Sequence, residues 1–478
     1  MDYEPIIGLE VHCQLQTETK IFCGCPTRFG APPNTNVCEV CLGMPGVLPV
    51  LNRRAVEFAL RAGLALGCDI QPVSEFSRKN YFYPDLPKGY QISMYDRPLM
   101  LRGHLDIEAH GVSKRVGLTR IHMEEDAGKL LHEGFPDSAT RSYVDFNRSG
   151  VPLIEIVSEP ELRSPEEAHA YFSTLRALLV WIGITDGNME EGSLRCDANV
   201  SLRPKGQTAF GTKAELKNLN SFKFVQAAVA HEIERQRGVL ESGGKVVQET
   251  RLYDPKQDRT VAMRSKEEAH DYRYFPEPDL PALTVEPAWI ETVRRALPEL
   301  PWARRARFVA EHGLKEQDAQ VLTTERALAD YFEATVAAGA GARGAAAWIL
   351  NEVLRKTRED ATPIAAAALE PKRLAGLVGL VDGGTISGKM AKELFEEVWA
   401  SGKDPAVLVR ERGLAQVSDE AALARAVDQV LAANPGQVAS YKAGKTGVLG
   451  FFVGQVIKST GGKANPALVN KLLKERLD

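Results

Sequence analysis

The chain has no run of the roughly 18 apolar residues that a membrane-spanning helix needs, so no span is expected. Its first residues, Met1-Asp2-Tyr3-Glu4-Pro5, lack the basic and apolar regions of a secretory signal, and a cytoplasmic protein is expected. Cysteine is sparse, and its count of seven is odd, which argues against a disulfide framework. Charge of one sign is also missing: 59 Lys and Arg against 63 Asp and Glu leave a formal −4. A polycation that coats nucleic acid in bulk is excluded; a local basic patch is not. The commonest phosphate-cradling loop is absent too. Gly444-Lys445-Thr446 has its closing residues, but Ala439 stands where the first glycine of G-x-x-x-x-G-K-[ST] belongs. No dinucleotide-binding glycine pattern follows a predicted strand, so any nucleotide site is of another design.

What is present is a repeated strand grammar. Arg195, Asp197, Asn199 and Ser201 alternate with Leu194, Cys196, Ala198, Val200 and Leu202, the period of a half-buried strand. Glu10 and His12 alternate with Leu9, Val11 and Cys13, and Lys213, Glu215 and Lys217 share a face. Glu155 interrupts the apolar run 151–157, where a carboxylate needs a partner or a metal. His122 and Glu124 share a face, and Glu125 starts a turn; this group reads either as a magnesium site or as a solvated acidic turn. The pattern predicts a curved sheet with one apolar side and one charged side.

Helices are predicted over 53–66, over 165–182 behind the capping box at Ser164, and over 222–241 behind Ser221. Strands are predicted at 4–15, 98–109, 112–125, 142–147, 246–253 and 259–263. The stretch 76–91 has no clear period and reads as a long ordered loop. There, Arg78, Lys79 and Lys88 suit phosphate or carboxylate, and Tyr81, Tyr83 and Tyr90 suit stacking; the same residues also suit a lid packed on the sheet. From about residue 286 the grammar is helical only. A chain of this length divides into domains. The boundaries predicted are 1–293 for an α+β domain with a mixed or antiparallel sheet, 294–405 for an all-α domain, and 406–478 for a small all-α tail. Residues 441–478 hold seven Lys and Arg, among them Lys442, Lys445, Lys458 and Lys463, against two acids. That segment reads as a grip on an RNA backbone or as a solvated bundle face.

Four cysteines cluster: Cys23 and Cys25, then 12 residues, then Cys38 and Cys41. C-x-C with C-x-x-C can close a tetrahedral zinc site; the alternative is four reduced, buried thiols. Cys13, Cys68 and Cys196 read as core.

Residues alone leave three readings of the charged face. Carboxylates with a histidine and interspersed Lys and Arg suit phosphoryl transfer with magnesium. His12 and His122 as ligands with a glutamate base suit metal-assisted hydrolysis. A docking face for RNA needs no catalysis at all.

Long motifs then narrow the choice. Gly8-Leu9-Glu10-Val11-His12, residues 78–85, 122–129, 147–155, 195–201 and 271–276, and the tail around 454–458, closely resemble the B subunit of the aspartyl/glutamyl-tRNA amidotransferase family. The resemblance covers the whole chain. It implies a cradle-shaped catalytic domain and a heterotrimer with an amidase subunit and a small third subunit. It implies use of ATP and magnesium to phosphorylate the side-chain carboxylate of Glu-tRNA(Gln) or Asp-tRNA(Asn), followed by amidation with ammonia that the amidase releases from glutamine. The matching aminoacyl-tRNA synthetase is a further candidate partner. Under the resemblance Glu10, His12 and Glu125 take magnesium, with Glu124, Glu155 and Glu215 added to the set. Arg195, Asp197 and Lys217 join the catalytic residues, and Arg195, Asn199, Ser201, Lys213 and Lys217 take the nucleotide and its phosphates. Lys79, Tyr83, Lys88 and Asp271 match positions near the ammonia route. Cys23, Cys25, Cys38 and Cys41 match the zinc-bearing members, and Lys442, Lys445, Lys458 and Lys463 take the tRNA.

Overall fold

The computed structural model describes residues 2–263, 272–414, 420–460 and 464–477. The chain divides into two compact units, 1–300 and 301–478. No helix among the described residues is long and apolar enough to cross a membrane.

The first unit is α+β. Its main strands are β1 (Tyr3–Gln14), β2 (Val73–Asn80), β3 (Tyr90–Arg97), β4 (Val112–Glu125), β5 (Pro152–Ser158), β6 (Leu194–Pro204), β7 (Ala214–Lys217), β8 (Glu249–Asp254) and β9 (Arg259–Ala262). They lie in the order β9-β8-β7-β6-β1-β5-β4-β3-β2, and five further strands complete a fourteen-stranded sheet among the described residues. The pair β7–β8 is parallel; β1 pairs antiparallel with both β5 and β6.

The alternation read from the sequence decides which side is buried. Leu9, Val11 and Cys13 on β1, Ile154 and Ile156 on β5, and Cys196, Ala198 and Val200 on β6 are buried. Each large apolar side chain so removed from water contributes about 1.5–3 kcal/mol. Three helices pack on the sheet: α1 (Arg53–Ala65), α2 (Pro165–Trp181) and α3 (Phe222–Glu241). The starts of α2 and α3 follow the predicted caps. Ser164 Oγ accepts from Glu167 N at 3.1 Å, and Ser221 Oγ accepts from Phe224 N at 3.1 Å. On α3, Gln236 Nε2 donates to the Val200 carbonyl of β6 at 2.9 Å.

Two predictions of local structure are corrected. The stretch 76–91 is not one loop: it holds the end of β2 and the start of β3, with only 81–89 as the connection. These strands carry buried polar side chains, Ser74, Ser77, Gln91 and Ser93. Polar residues that face inward erase the hydrophobic alternation that marks a strand. The predicted strand 98–109 is broken at Arg102 and Gly103, both at positive φ, into Met100–Leu101 and His104–Ala109.

The second unit has helices and no strand among its described residues. Its last part has a core of its own, with Leu423, Val427, Phe452, Val456, Val469 and Leu473 buried together.

Candidate functional site

Register sets the site. Across four strands His122 faces Glu155, Glu155 faces His12, and His12 faces Arg195. One step along, Glu10 faces Asp197, and beyond it Asn199 faces Glu215. Paired residues of neighbouring strands point to the same side of a sheet, so the charged residues of four separate sequence motifs form one surface.

Its centre is Glu155. His12 Nε2 lies 3.3 Å and His122 Nε2 lies 3.8 Å from its Oε2. His122 Nε2 is also 3.1 Å from Glu124 Oε1, which accepts from Ser93 Oγ at 2.6 Å. Donor atoms of His12, Glu124 and Glu155 all fall within 4.8 Å of one another. Burial works to raise the Glu155 carboxyl, but His122 and the hydrogen-bonded His12 outweigh it and hold it far below the usual range. Burial likewise opposes the Glu124 carboxylate, and His122 overcomes it. For His12 burial acts downward, yet Glu155 lifts the imidazole above its ordinary value. Two buried carboxylates and an imidazole at this spacing fit a divalent cation: the donors are hard or borderline and close enough to converge on one ion.

Around this centre the other groups are already paired. Asn199 Nδ2 donates to Glu10 Oε1 at 2.9 Å. Burial, then the charges of Glu155, Asp197 and Glu215, push the Glu10 carboxyl up. Lys217 Nζ bridges Asp197 Oδ2 at 2.6 Å and Glu215 Oε1 at 2.8 Å. Burial opposes its charge, but these two acids raise it overall. Ser201 is buried on β6, and Lys213 is exposed just before β7.

Arg195 donates to Asp126 Oδ2 at 2.9 Å, and Gln14 Nε2 donates to the same oxygen at 2.6 Å. Burial acts to raise the Asp126 carboxyl, while Arg195 and Arg148 pull it below its ordinary value. Its stabilising charge is therefore complete above the unfolded carboxylate value of about 3.9 and is lost as pH falls through the lower folded value. Asp126→Asn is expected to cost about 1.5–3 kcal/mol near neutral pH. The gap in denaturation midpoint from the parent chain should shrink below about pH 4; a gap that stayed constant down to strong acid would mean the charge plays no part.

Glu125 lies apart from this cluster. Strict alternation on β4 puts it on the side opposite Glu124, and it does not join His12. Its Oε1 accepts from Ile92 N at 2.9 Å, and its Oε2 accepts from Lys88 Nζ at 2.6 Å. Lys88 reaches it past Gly43, whose φ is +66° and where a Cβ would collide with the Lys88 side chain. A cavity of about 90 Å³ lies here, lined in part by Lys20, Cys23, Cys41, Lys88 and Glu125. The candidate ammonia-route residues are accordingly divided. Lys88 lies on this side, whereas Lys79 lies 5.1 Å over the Tyr272 ring and its charge is felt by Glu124 and Glu155. Tyr83 is exposed in the 81–89 connection. Asp271 and Lys463 lie outside the described residues. Arg78 is occupied as a structural clasp, bidentate to Glu277 at 2.8 and 2.7 Å.

The four clustered cysteines meet. Sulfurs of Cys23, Cys25, Cys38 and Cys41 lie within 4.8 Å of one another; a tetrahedron with Zn–S near 2.3 Å needs sulfurs about 3.8 Å apart. Cys41 is lowered to about 4, first through the hydrogen bond from Cys23 and also through Cys38 N and Lys20. Lys20 is fully buried, with Nζ 3.5 Å from Cys41 Sγ and 3.3 Å from the Phe146 carbonyl. The donor set fits zinc, and the buried ammonium offsets part of the negative charge of four thiolates. Lys442, Lys445 and Lys458 are exposed and in no ion pair among the described residues, whereas Lys471 and Arg476 pair with Glu420 and Asp428.

Sequence reasoning misses Arg120, Asp126, Gln91, Ser93 and Lys20. Arg120 is two residues from His122 on the same strand face, a signal present in the sequence; the burial of Lys20 has no such signal.

The class this defines is an α+β unit that carries interleaved acids, histidines and cations on one sheet face, followed by a helical region. Residues 5–291 match the GatB/GatE catalytic domain family, and residues 330–477 match the GatB domain family. The chain belongs to the GatB/GatE family. It is similar to proteins named as the B subunit of aspartyl/glutamyl-tRNA(Asn/Gln) amidotransferase. The one from Geobacter sulfurreducens is 59% identical over 477 residues, covering 100% of both chains. That from Solidesulfovibrio magneticus is 59% identical over 475 residues, 99% of each. That from Carboxydothermus hydrogenoformans is 55% identical over 476 residues, 100% of this chain and 99% of its own.

Proposed function

We propose that the chain is the aminoacyl-tRNA kinase and amide-forming subunit of a tRNA-dependent amidotransferase in the cytoplasm. It works with an amidase subunit and a small third subunit on Glu-tRNA(Gln), Asp-tRNA(Asn) or both, and the matching synthetase is a further candidate partner. The observation that carries this is the cross-strand row His122, Glu155, His12 and Arg195, with Lys217 beside it. It sets cation ligands next to anion-binding groups, the pairing that phosphoryl transfer to a carboxylate needs.

In this reading ATP is the phosphoryl donor. The side-chain carboxylate oxygen forms a bond to the γ-phosphorus, and ADP leaves. Ammonia then attacks the acyl carbon and phosphate leaves, carrying the former carboxylate oxygen. Magnesium, held by His12, Glu124 and Glu155, would neutralise charge on the phosphates. Arg195 and Lys217 hold phosphoryl oxygens, and Asn199 and Asp197 fix Glu10 and Lys217 in place. Ser201 and Lys213 remain candidates for outer nucleotide contacts. Lys88, Lys79 and Tyr83 mark the way for ammonia; the small cavity beside Glu125 supports this reading by leaving room for a water-sized molecule. The 1–293, 294–405 and 406–478 division, with the last part gripping tRNA, belongs to the same proposal.

The test is single-turnover label release from γ-labelled ATP by the assembled heterotrimer without glutamine. Release should require Glu-tRNA(Gln) or Asp-tRNA(Asn) and be absent with uncharged tRNA. Tight tRNA binding with no release from either would favour an RNA docking face instead.

Zinc belongs at the four cysteines in this account. Metal analysis of the purified chain should give about one zinc per chain. Cys41→Ser should lose it and lower the melting temperature of the first unit; equal stability of metal-free and metal-loaded protein would show four thiols with no structural ion.

A further inference from the structure

We infer that Arg120 is a binding residue for a substrate oxyanion, a phosphoryl group or the accepting carboxylate. This rests on the proposed phosphoryl-transfer reading and adds a residue to it. Arg120 is on β4, two residues before His122 and on the same face. Its guanidinium lies 4.5 Å from the Tyr95 ring centroid. Tyr95 stacks in turn on Tyr274, with centroids 4.9 Å apart and planes 13° from parallel, and meets His122 edge-on at 6.1 Å. The stack places the cation beside the cation-binding cluster.

The polar edge of that guanidinium is unspent. Its one acidic neighbour among the described residues is Glu155, at 3.9 Å from a terminal nitrogen, too far for a hydrogen bond. Its Nε is buried with no hydrogen-bond partner. A buried, unmade donor on a charged group costs free energy, and a bound anion is one way such a donor is satisfied. Arg195, on the other flank of the cluster, shows the same feature: its terminal nitrogen is taken by Asp126, but its Nε is buried and unpartnered. Three inter-strand spacings, about 14 Å of backbone, separate β4 from β6. The two arginines thus flank the Glu155 centre on opposite sides, each with a buried Nε–H that makes no hydrogen bond. Guanidinium planes that rest on aromatic rings and offer N–H edges suit phosphate and carboxylate oxygens.

The experiment compares the heterotrimer with Arg120→Lys, Arg120→Gln and the control Arg115→Gln. The control alters an exposed guanidinium paired with Asp106 on the outer part of the same strand. Two affinities are measured in each: for a magnesium complex of a non-hydrolysable ATP analogue, and for Glu-tRNA(Gln) against Gln-tRNA(Gln). Arg120→Lys keeps a positive charge near Glu155 but has no Nε–H and no planar face for Tyr95. It should lose about 10- to 100-fold in one affinity, at unchanged melting temperature. Loss in the analogue affinity assigns a phosphoryl oxyanion; loss of the preference for Glu-tRNA(Gln) assigns the side-chain carboxylate. If Arg120→Lys keeps both affinities while Arg120→Gln loses stability, Arg120 only balances the charge of Glu155, and the inference is overturned. A parent heterotrimer that binds no nucleotide would remove the underlying reading itself, whatever the variants do.

Discussion

Glu155→Gln is expected to abolish label release from γ-labelled ATP, by on the order of 10³-fold or more, and to weaken binding of Mn²⁺ as a magnesium substitute. Glu155 sits between two histidines and shares a ligand-sized space with Glu124. Its carboxyl is held far below the usual range, so the substitution removes a full negative charge at any working pH. The amide still accepts from His12, which keeps the strand pairing. Glu125→Gln supplies the contrast. Its side chain is on the other side of β4, tied to Lys88 and to Ile92 N, so label release should stay within about tenfold of the parent. The change leaves the Lys88 ammonium without its acid, and the expected defect is in amide formation from glutamine. Loss of label release and Mn²⁺ binding in Glu125→Gln, with both retained in Glu155→Gln, would move the cation to the opposite side of the sheet.

The second large effect is on tRNA. Lys442, Lys445 and Lys458 are exposed on a tail that has its own core. Replacing all three with glutamate should weaken tRNA binding about a hundredfold at moderate salt, uniformly for charged and uncharged tRNA. If each lysine meets one phosphate, the slope of log affinity against log salt should fall by about 2–3. Label release at saturating tRNA should hold, because the site lies in the other unit. An unchanged affinity and slope would make these lysines a solvated helix surface.

How much of this was legible in the sequence follows from periodicity. β1 and β6 alternate so strictly that Glu10, His12, Arg195, Asp197 and Asn199 could be put on one face from sequence alone. Ser164 and Ser221 marked their helices to the residue. β2 and β3 were hidden because polar residues point inward there, two of them to satisfy Glu124. The metal set was harder. His122 and Glu124 share a face by count and Glu125 starts the turn, while the family resemblance puts Glu125 with Glu10 and His12 and adds Glu124, Glu155 and Glu215. Which of the many carboxylates converge depends on cross-strand register, and register comes from pairing partners far apart in the chain. The burial of Lys20 beside the cysteines depends on loop packing, which leaves no period in the sequence.

The most direct test of the account is the fate of one oxygen. The heterotrimer would be given Glu-tRNA(Gln) with ¹⁸O in the glutamate side-chain carboxylate, together with ATP, magnesium and glutamine. Phosphorylation of that carboxylate predicts one ¹⁸O in the inorganic phosphate for each amide formed, and ADP as the nucleotide product. Unlabelled phosphate would show that ATP is cleaved by water, and ¹⁸O in AMP would show an adenylate; either result contradicts carboxylate phosphorylation at this site.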